Sequence, residues 1–409
     1  MSASSSHPTL ARLNGAPARS RSLALAGLLF LAGFAFLWAQ VGPRQGLLWA
    51  VGAALGVALF QSSFGFTHAW RVFVSDRRAA GIRAQMLMLA VGVVLFFPAL
   101  DAGAIAGSPV DGLKAPIGVA LVVGAFLFGI GMQLGGGCAS GTLYTAGGGN
   151  VRMIATLLSF IVGATAATAH FDWWMELPGA APVVLLQDWG LWPTLLSYLA
   201  VFGLLAWGAT RLERRRHGDD AKVAEVAATA RPGPLLRGPW PLWWGALALV
   251  LLNFATLWLS GRPWGITSAF ALWGAKTLGA AGVDVTAWGY WADRFDTLEA
   301  PLHDDVTTVM NFGIMLGAFA AAALAGRKAW AWRIPPLSLL AAVLGGLLMG
   351  YGSRLSFGCN IGAYFSGMLS ASLHAWIWLP LAFAGSALGV WLRPAFGLAV
   401  EKTVPAGSC

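Results

Sequence analysis

The stretch GYGSRLSFGCNIGAYFSG, residues 350–367, places several glycines, an arginine and a cysteine in a chain that is otherwise strongly apolar. A second stretch, GIGMQLGGGCASG at 129–141, shares with it the pattern Gly-x-Gly-x-x-Leu-x-x-Gly-Cys-x-x-Gly. All matched positions are 221 residues apart, so Cys138 corresponds to Cys359. This glycine–cysteine motif predicts that the chain contains two related halves.

The composition is that of an integral membrane protein. Of the 409 residues, 57% are hydrophobic and only 11% are charged. Because a helix rises about 1.5 Å per residue, about 20 apolar residues cross the hydrocarbon core. Ten apolar runs approach this length, at about 23–40, 47–63, 84–100, 115–135, 151–170, 192–210, 240–260, 306–326, 334–352 and 374–392. The sequence therefore predicts an all-α polytopic membrane protein with about ten transmembrane helices.

The distribution of basic residues predicts how these spans are oriented. Twenty of the 26 lysines and arginines lie before the first span, after the second, at the start of the fifth, in a linker at 211–239, and on the same side near the last two spans. The opposite loops hold five. Because cytoplasmic loops carry the excess of Lys and Arg, both termini and the linker are expected in the cytoplasm, with the spans in a bacterial inner membrane. The net charge of +9 therefore needs no nucleic-acid partner, and we interpret the first span as a retained anchor.

A second pair of similar segments supports an internal duplication. FGFTHAW at 64–70 resembles WGITSAF at 264–270, so Gly65 corresponds to Gly265. In each half the order is a span, this segment, two more spans, the glycine–cysteine motif and a closing span. The charged loops direct the first span of one copy inward and that of the other outward, which predicts inverted repeats.

The predicted organisation follows from this duplication. Its parts are a cytoplasmic N-terminus with the first span (1–46), the first inverted repeat (47–170), an outer loop with an extra span and a basic linker (171–239), the second inverted repeat (240–392) and a cytoplasmic tail (393–409). The segments at 64–74 and 263–282 are expected to be re-entrant half-helices that enter and leave on one side. Their N-termini would bring free N–H groups and partial positive charge toward a buried site, which suits an anion.

Cys138 and Cys359 are the first candidates for substrate contact. A thiol is soft and polarizable, so it suits a sulfur-bearing ligand better than a hard oxyanion. Each repeat has one thiol, preceded by Gly137 or Gly358, which predicts two successive positions on a substrate path. The path is also expected to include the corresponding glycines Gly65 and Gly265. The competing interpretation is structural, because glycine at this spacing lets helices pack closely and a small cysteine fits there. Cysteine at both matched positions favours the functional interpretation.

Polar residues near the motifs are further candidates. Arg354 replaces Gln133 of the first copy and is the one basic residue that the predicted topology leaves outside the loops. A charge at membrane depth is costly and usually functional, although a long side chain can also reach the interface. Asn360, Tyr144 and Tyr364 lie close to the cysteines and can donate hydrogen bonds to an anion.

The sequence contains no motif for a metal, a cofactor or hydrolytic catalysis. His68 and His374 have no His, Asp or Glu at ligand spacing, and we interpret them as hydrogen-bonded residues at helix ends. There is no Walker loop, dinucleotide fingerprint, haem-attachment motif or Ser-His-Asp pattern. Three cysteines, one of them Cys409 in the expected solvated tail, form no disulfide framework. We therefore expect no cofactor, no metal and no enzymatic activity.

Three stretches resemble the sulfur-transport domains of the YeeE/YedE family. They are SRLSFGCNIGAYFSGMLSASLHAWIW, GGGCASGTLYTAGGG and WGITSAFALWGAKTLG, and the resemblance extends over about 47–392. It implies an inverted-repeat helical transporter in which cysteine thiols hydrogen-bond a thiosulfate ion and pass it along a narrow central path. It carries over to Cys138 and Cys359 as the motif cysteines. Many members have a further cysteine where this sequence has Gly65, between two phenylalanines.

The sequence thus predicts an inner-membrane permease for a small sulfur-containing anion, with thiosulfate as first candidate, taken up past Cys359 and then Cys138. One alternative is a membrane redox or persulfide-handling protein in sulfur or selenium metabolism, whose thiolate is activated by Arg354 or a helix N-terminus. Another is a structural or regulatory membrane subunit. The expected partners are a sulfur or selenium anion, membrane lipid and a small cytoplasmic sulfurtransferase, the last implied by the resemblance.

Overall fold

The computed structural model describes residues 16–218, 238–326 and 333–400, and this part of the chain is almost entirely helical. The helices are α1 (Ala16–Gln40), α2 (Pro43–Ser62), α3 (Phe66–Asp76), α4 (Ala80–Asp101), α5 (Val119–Gly135), α6 (Ala139–Gly147), α7 (Val151–Ala169), α8 (Phe171–Glu176), α9 (Leu185–Trp189), α10 (Leu191–His217), α11 (Leu242–Ser260), α12 (Thr267–Ala280), α13 (Gly289–Ala292), α14 (Phe295–Glu299), α15 (Val306–Ala325), α16 (Pro336–Leu355), α17 (Gly367–Leu369) and α18 (Leu373–Leu392). A π-helix, Asn360–Ser366, lies between α16 and α17.

Short elements complete the chain outside the long helices. Two-residue strands pair as Ala104–Ile105 with Ser108–Pro109, and as Ile117–Gly118 with Gly179–Ala180. Single 3₁₀ turns occur at Val285–Ala287 and Arg393–Phe396. These elements lie between or after the long helices and leave the helical core uninterrupted.

Ten helical segments in the described ranges are long and apolar enough to cross a membrane, which confirms the predicted number of spans. Several of their large apolar side chains face outward: Leu31, Leu204 and Trp391 are 65%, 64% and 75% exposed. In water such exposure would be unfavourable, whereas in a bilayer these side chains contact lipid tails and the interface. The fold is therefore that of an all-α polytopic membrane protein.

Glycines bring the two helices that carry the glycine–cysteine motif into direct backbone contact. A β-carbon at Gly131 of α5 would lie 2.7 Å from the carbonyl oxygen of Gly345 of α16, and one at Gly352 would lie 2.5 Å from that of Gly124. Early residues of each helix thus meet late residues of the other, so α5 and α16 run antiparallel. Close packing of this kind replaces the hydrophobic effect as the source of helix association in lipid.

The two motif helices make matching contacts with the helices that close each copy. Gly129 of α5 packs on Ala382 of α18, and the corresponding Gly350 of α16 packs on Phe160 of α7. In both cases a β-carbon would collide with a backbone carbonyl oxygen. The reciprocal contacts put the loops that follow α5 and α16 in equivalent environments.

The extra span α10 extends further than the sequence indicated. The basic linker was expected to begin at residue 211, but α10 continues to His217. Arg214, Arg215 and Arg216 occupy its last turn, where positive charge is favourable at the carboxyl end of a helix. The end of α10 is also held by a 2.7 Å ion pair between Glu213 and Arg83 of α4. The rest of the linker, Cys409 and the first 15 residues lie outside the described residues.

Candidate functional site

Each motif cysteine is the residue immediately before a short helix. The chain leaves α5 at Gly135, turns, and starts α6 after Cys138; it leaves α16 at Leu355, turns, and starts the π-helix after Cys359. The carbonyl oxygen of Cys138 accepts a hydrogen bond from the Thr142 amide at 2.8 Å, and that of Cys359 accepts one from the Ala363 amide at 2.9 Å. The two copies of the motif therefore build the same helix start.

Both thiols are buried, and their hydrogen bonds within the described residues are with neutral groups. Cys138 is 1% exposed and its Sγ lies 3.3 Å from the hydroxyl of Ser140. Cys359 is 0% exposed and its Sγ accepts a hydrogen bond from the Ile361 amide at 3.4 Å. The positions of the two thiols at helix starts add the free amides and partial positive charge of those ends.

Gly137 and Gly358 allow the chain to fold back onto these helix starts. A β-carbon at Gly137 would lie 3.2 Å from the Thr142 amide nitrogen, and one at Gly358 would lie 2.5 Å from that of Ala363. Gly358 also has a φ of +151°, a backbone conformation that residues with a β-carbon rarely adopt. A side chain at either position would push the loop away from the amides beside the thiol.

The segments expected to be re-entrant contain the short helices α3 and α12. Their 11 and 14 residues are too few to cross a hydrocarbon core that needs about 20. Gly65 precedes α3 and Gly265 lies two residues before α12. Both border open space: a β-carbon at Gly265 would meet nothing within 4 Å, and one at Gly65 would be 3.8 Å from its nearest neighbour.

Buried amides fix the loop before α12 against the helix that follows Cys359. The amide of Trp264 donates to Oδ1 of Asn253 at 2.8 Å, and its carbonyl accepts from the hydroxyl of Ser366 at 2.7 Å. Ser366 is the last residue of the π-helix. Asn311 of α15 donates to the carbonyl of Ile266 at 3.0 Å. Sequence reasoning missed these residues, although a lone Asn within an apolar span is a signal that could have identified Asn253 and Asn311.

A cavity of about 880 Å³ connects the loops around residues 262 and 294 with the start of the π-helix. Its lining includes Gly265, Arg354, Gly358 and Gly362, so three of the predicted site residues share one space. The other predicted site residues, Gly65, Gly137, Cys138, Cys359 and Asn360, do not line it. The second copy of the motif thus faces a cavity that the first copy does not reach.

Several buried polar groups near this cavity and the two thiols have no hydrogen-bond partner in the described residues. Arg354, in the last turn of α16, has buried Nε and Nη1 atoms without a hydrogen-bond partner in the described ranges. Asn360 is 0% exposed, and neither its Oδ1 nor its Nδ2 has a partner there. The hydroxyls of Tyr364 and Thr142 are in the same condition. Because burying an unpaired polar group costs about 1–3 kcal/mol, such groups indicate a place where a ligand supplies the missing partner.

The histidines were interpreted as satisfied helix-end residues, and for His374 this was only half right. Its Nδ1 lies 2.7 Å from the hydroxyl of Ser372, but its buried Nε2 has no partner in the described residues because the ring is enclosed in the first turn of α18. His68 contacts Arg71 through Nδ1 at 3.2 Å. Across the ranges that the structure describes, no group of three His, Cys, Asp or Glu side chains could hold a metal. Tyr144 lies near Phe60 and does not line the cavity.

The model of the family described as sulphur transport matches residues 61–388, which include both motif copies, both short helices and the cavity. The chain belongs to this family. It is therefore a membrane transport protein and not an enzyme.

The chain is similar to curated relatives over most of its length in two cases and over about a third of its length in another. It is 28% identical over 352 residues to "Thiosulfate transporter TsuA" of Spirochaeta thermophila, which covers 80% of this chain and 92% of the relative. It is 26% identical over 361 residues to "Thiosulfate transporter TsuA" of Escherichia coli, covering 83% and 91%. Similarity to "Probable transporter YedE" of Escherichia coli is 31% over 147 residues, or 36% and 35% of the two chains. These names confirm the YeeE/YedE resemblance.

Proposed function

We propose that this protein is an inner-membrane permease that imports thiosulfate through the cavity, past Cys359 and then past Cys138. The observation that carries the proposal is the pair of buried thiols in matching positions, the second of which follows directly after Gly358 in the cavity lining. Two relatives that cover most of the chain are named thiosulfate transporters, which supports this substrate.

Thiosulfate suits this environment because its two ends differ. Its terminal sulfur is soft and matches the thiols, and its oxygens accept hydrogen bonds from amides and side-chain donors. At Cys359 such a donor is the unpaired Nδ2 of Asn360. Both thiols contact only hydroxyl or amide groups, which favours hydrogen bonding to the anion over covalent attack by an activated thiolate.

We also propose that the two copies form inverted repeats, with α3 and α12 as re-entrant half-helices. The antiparallel contact between the corresponding helices α5 and α16 supports this arrangement, because corresponding helices of inverted repeats point in opposite directions. The basic residues at the end of α10 support a cytoplasmic position for the linker. Delivery to a small cytoplasmic sulfurtransferase stays a prediction.

The test is uptake of labelled thiosulfate by proteoliposomes that contain the purified full chain. We expect uptake by the native protein, loss of uptake in Cys138→Ala and Cys359→Ala, and normal uptake in the matched control Cys409→Ala. Cys→Ser variants separate the two thiol chemistries, since a hydroxyl retains part of a hydrogen-bonding function and none of a covalent one. Native uptake in both alanine variants would overturn the proposal.

A further inference from the structure

We propose that Tyr290, Arg294 and Arg354 form a docking site in the cavity that binds the oxyanion end of a divalent anion before its sulfur reaches Cys359. The site deepens the proposed function, since it rests on that function for the direction of passage. It requires only that the anion bind and does not depend on transport.

The guanidinium of Arg354 has the features of an anion ligand. It lines the cavity, and two of its nitrogens, Nε and Nη1, are buried without a partner in the described part of the chain. No ion pair with an acidic side chain is found for it among those residues. Because arginine stays charged even when partly buried, this positive charge has room for an anionic partner that the described residues do not provide.

Tyr290 holds a second arginine next to Arg354. The Cζ of Arg294 lies 4.3 Å from the centroid of the Tyr290 ring, and the Cζ of Arg354 lies 5.2 Å from the same centroid. Arg294 also donates from Nη1 to the carbonyl of Tyr290 at 3.0 Å. The two charges therefore lie within about 10 Å of each other, which is comparable to the Debye length in physiological salt. Their mutual repulsion falls when an anion sits between them.

The acidic side chains of the cavity lining form no ion pair with Arg294 or Arg354 in the described residues. Lys114 forms an ion pair with Asp111 at 3.0 Å, so these two charges neutralise each other. Asp305 accepts a hydrogen bond from the Thr308 amide at 2.7 Å and caps α15. Asp296 and Asp304 line the cavity but are exposed to water. The lining, which also includes Arg262, thus holds four basic and four acidic side chains, and the two guanidinium groups at Tyr290 are left without an acidic partner among the described residues.

The order of the residues along the cavity suggests how an anion is received. Arg294 is exposed, Tyr290 is buried, and Arg354 lies in the last turn of the helix that leads to Gly358 and Cys359. Guanidinium groups present planar pairs of N–H donors that match oxyanions, whereas the thiol matches sulfur. An anion with oxygens at one end and sulfur at the other can engage both, and sulfate can engage only the arginines.

The experiment measures equilibrium binding of labelled sulfate and of labelled thiosulfate to the purified full chain in detergent at low ionic strength. Arg354→Gln is expected to weaken binding of both anions about tenfold or more, because each loses a charged hydrogen bond. Arg294→Gln should weaken both to a smaller extent. Lys114→Gln, the control in the same cavity, should change both by less than about twofold, because that charge is already paired. Cys359→Ala should weaken thiosulfate only.

Each outcome decides for or against the site. Unchanged binding of both anions by Arg354→Gln, or no sulfate binding by the native protein, would overturn the inference. If Arg354→Gln does not fold, the exposed Arg294→Gln and the charge-retaining Arg354→Lys carry the test, and equal sulfate affinity in native protein and Arg294→Gln would then overturn it. If the native protein binds both anions through Arg354 but transports neither, the docking site is supported and the proposed function is refuted.

Discussion

The two copies of the glycine–cysteine motif both place a cysteine directly before a helix, but their surroundings differ. At the corresponding positions 133 and 354 one copy has glutamine and the other arginine. The amide nitrogen of Gln133 donates to the carbonyl of Thr67 at 3.0 Å and to the hydroxyl of Ser386 at 2.7 Å, and its side chain is fully buried. Arg354 has unpaired nitrogens and lines the cavity. The repeated motif thus places the two thiols alike. The residue at position 133 or 354 distinguishes the first copy, which we call the closed half, from the second copy, which faces the cavity and which we call the open half.

The closed half is further secured by arginines that the open half lacks in its described residues. Arg152 donates to the carbonyls of Gly135 and Leu134 at 2.6 and 2.7 Å, and Arg393 donates to that of Gln133 at 2.6 Å. These carbonyls end α5 just before Cys138, where positive charge is favourable. Opening a path beyond Cys138 therefore requires these contacts to loosen.

The largest difference between the copies is expected from the two glycines before the cysteines. Gly358→Ala introduces a β-carbon 2.5 Å from an amide at φ +151°, whereas Gly137→Ala introduces one at 3.2 Å without a positive φ. Strain of about 1–3 kcal/mol at Gly358 should reduce thiosulfate uptake about tenfold or more. Gly137→Ala should retain a larger share of uptake. Equal losses in proteoliposome assays, normalised to the amount of folded protein, would contradict the distinction between the copies.

The next effect concerns stability, and it tests the closed half. Gln133→Leu removes both donated hydrogen bonds and leaves the carbonyl of Thr67 without this buried partner. We expect a loss of about 1–3 kcal/mol, seen as a lower thermal unfolding midpoint in detergent. Arg354→Leu in the open half removes no such bond, and its unfolding midpoint should fall less. A larger drop for Arg354→Leu would mean that its charge is paired within the protein.

The smallest effect concerns the paired glycines of the short helices. Gly65→Cys and Gly265→Cys both fit without collision, so each should change stability by no more than about 0.5 kcal/mol. Only Gly265 lines the cavity. A charged, membrane-impermeant methanethiosulfonate applied from outside should therefore modify Gly265→Cys and spare Gly65→Cys, with the native chain as the background for buried cysteines. Equal modification of both would show that the first half is open as well.

The sequence predicts well what depends on local pattern. Ten spans follow from apolar length, and the matched cysteines follow from the repeat, because both signals lie in contiguous residues. The contact between Arg354 and Tyr290 could not be predicted, since Tyr290 lies in the short helix α13, distant in sequence, and its ring position depends on tertiary packing. The lack of a partner for Nε2 of His374 in the described residues could not be predicted for the same reason. The sequence placed the end of α10 too early, because its charged residues suggested a linker. In the structure these residues form the last turn of the helix, where basic side chains are favourable.

The most direct test of the order in which the anion meets the two thiols compares thiosulfate binding with thiosulfate uptake in the single cysteine variants. If the anion meets Cys359 first, Cys138→Ala should still bind thiosulfate in detergent with nearly native affinity and yet fail to transport it into proteoliposomes. Cys359→Ala should lose both binding strength and uptake. The reverse pattern, with binding lost in Cys138→Ala and retained in Cys359→Ala, would contradict passage from the cavity past Cys359 to Cys138.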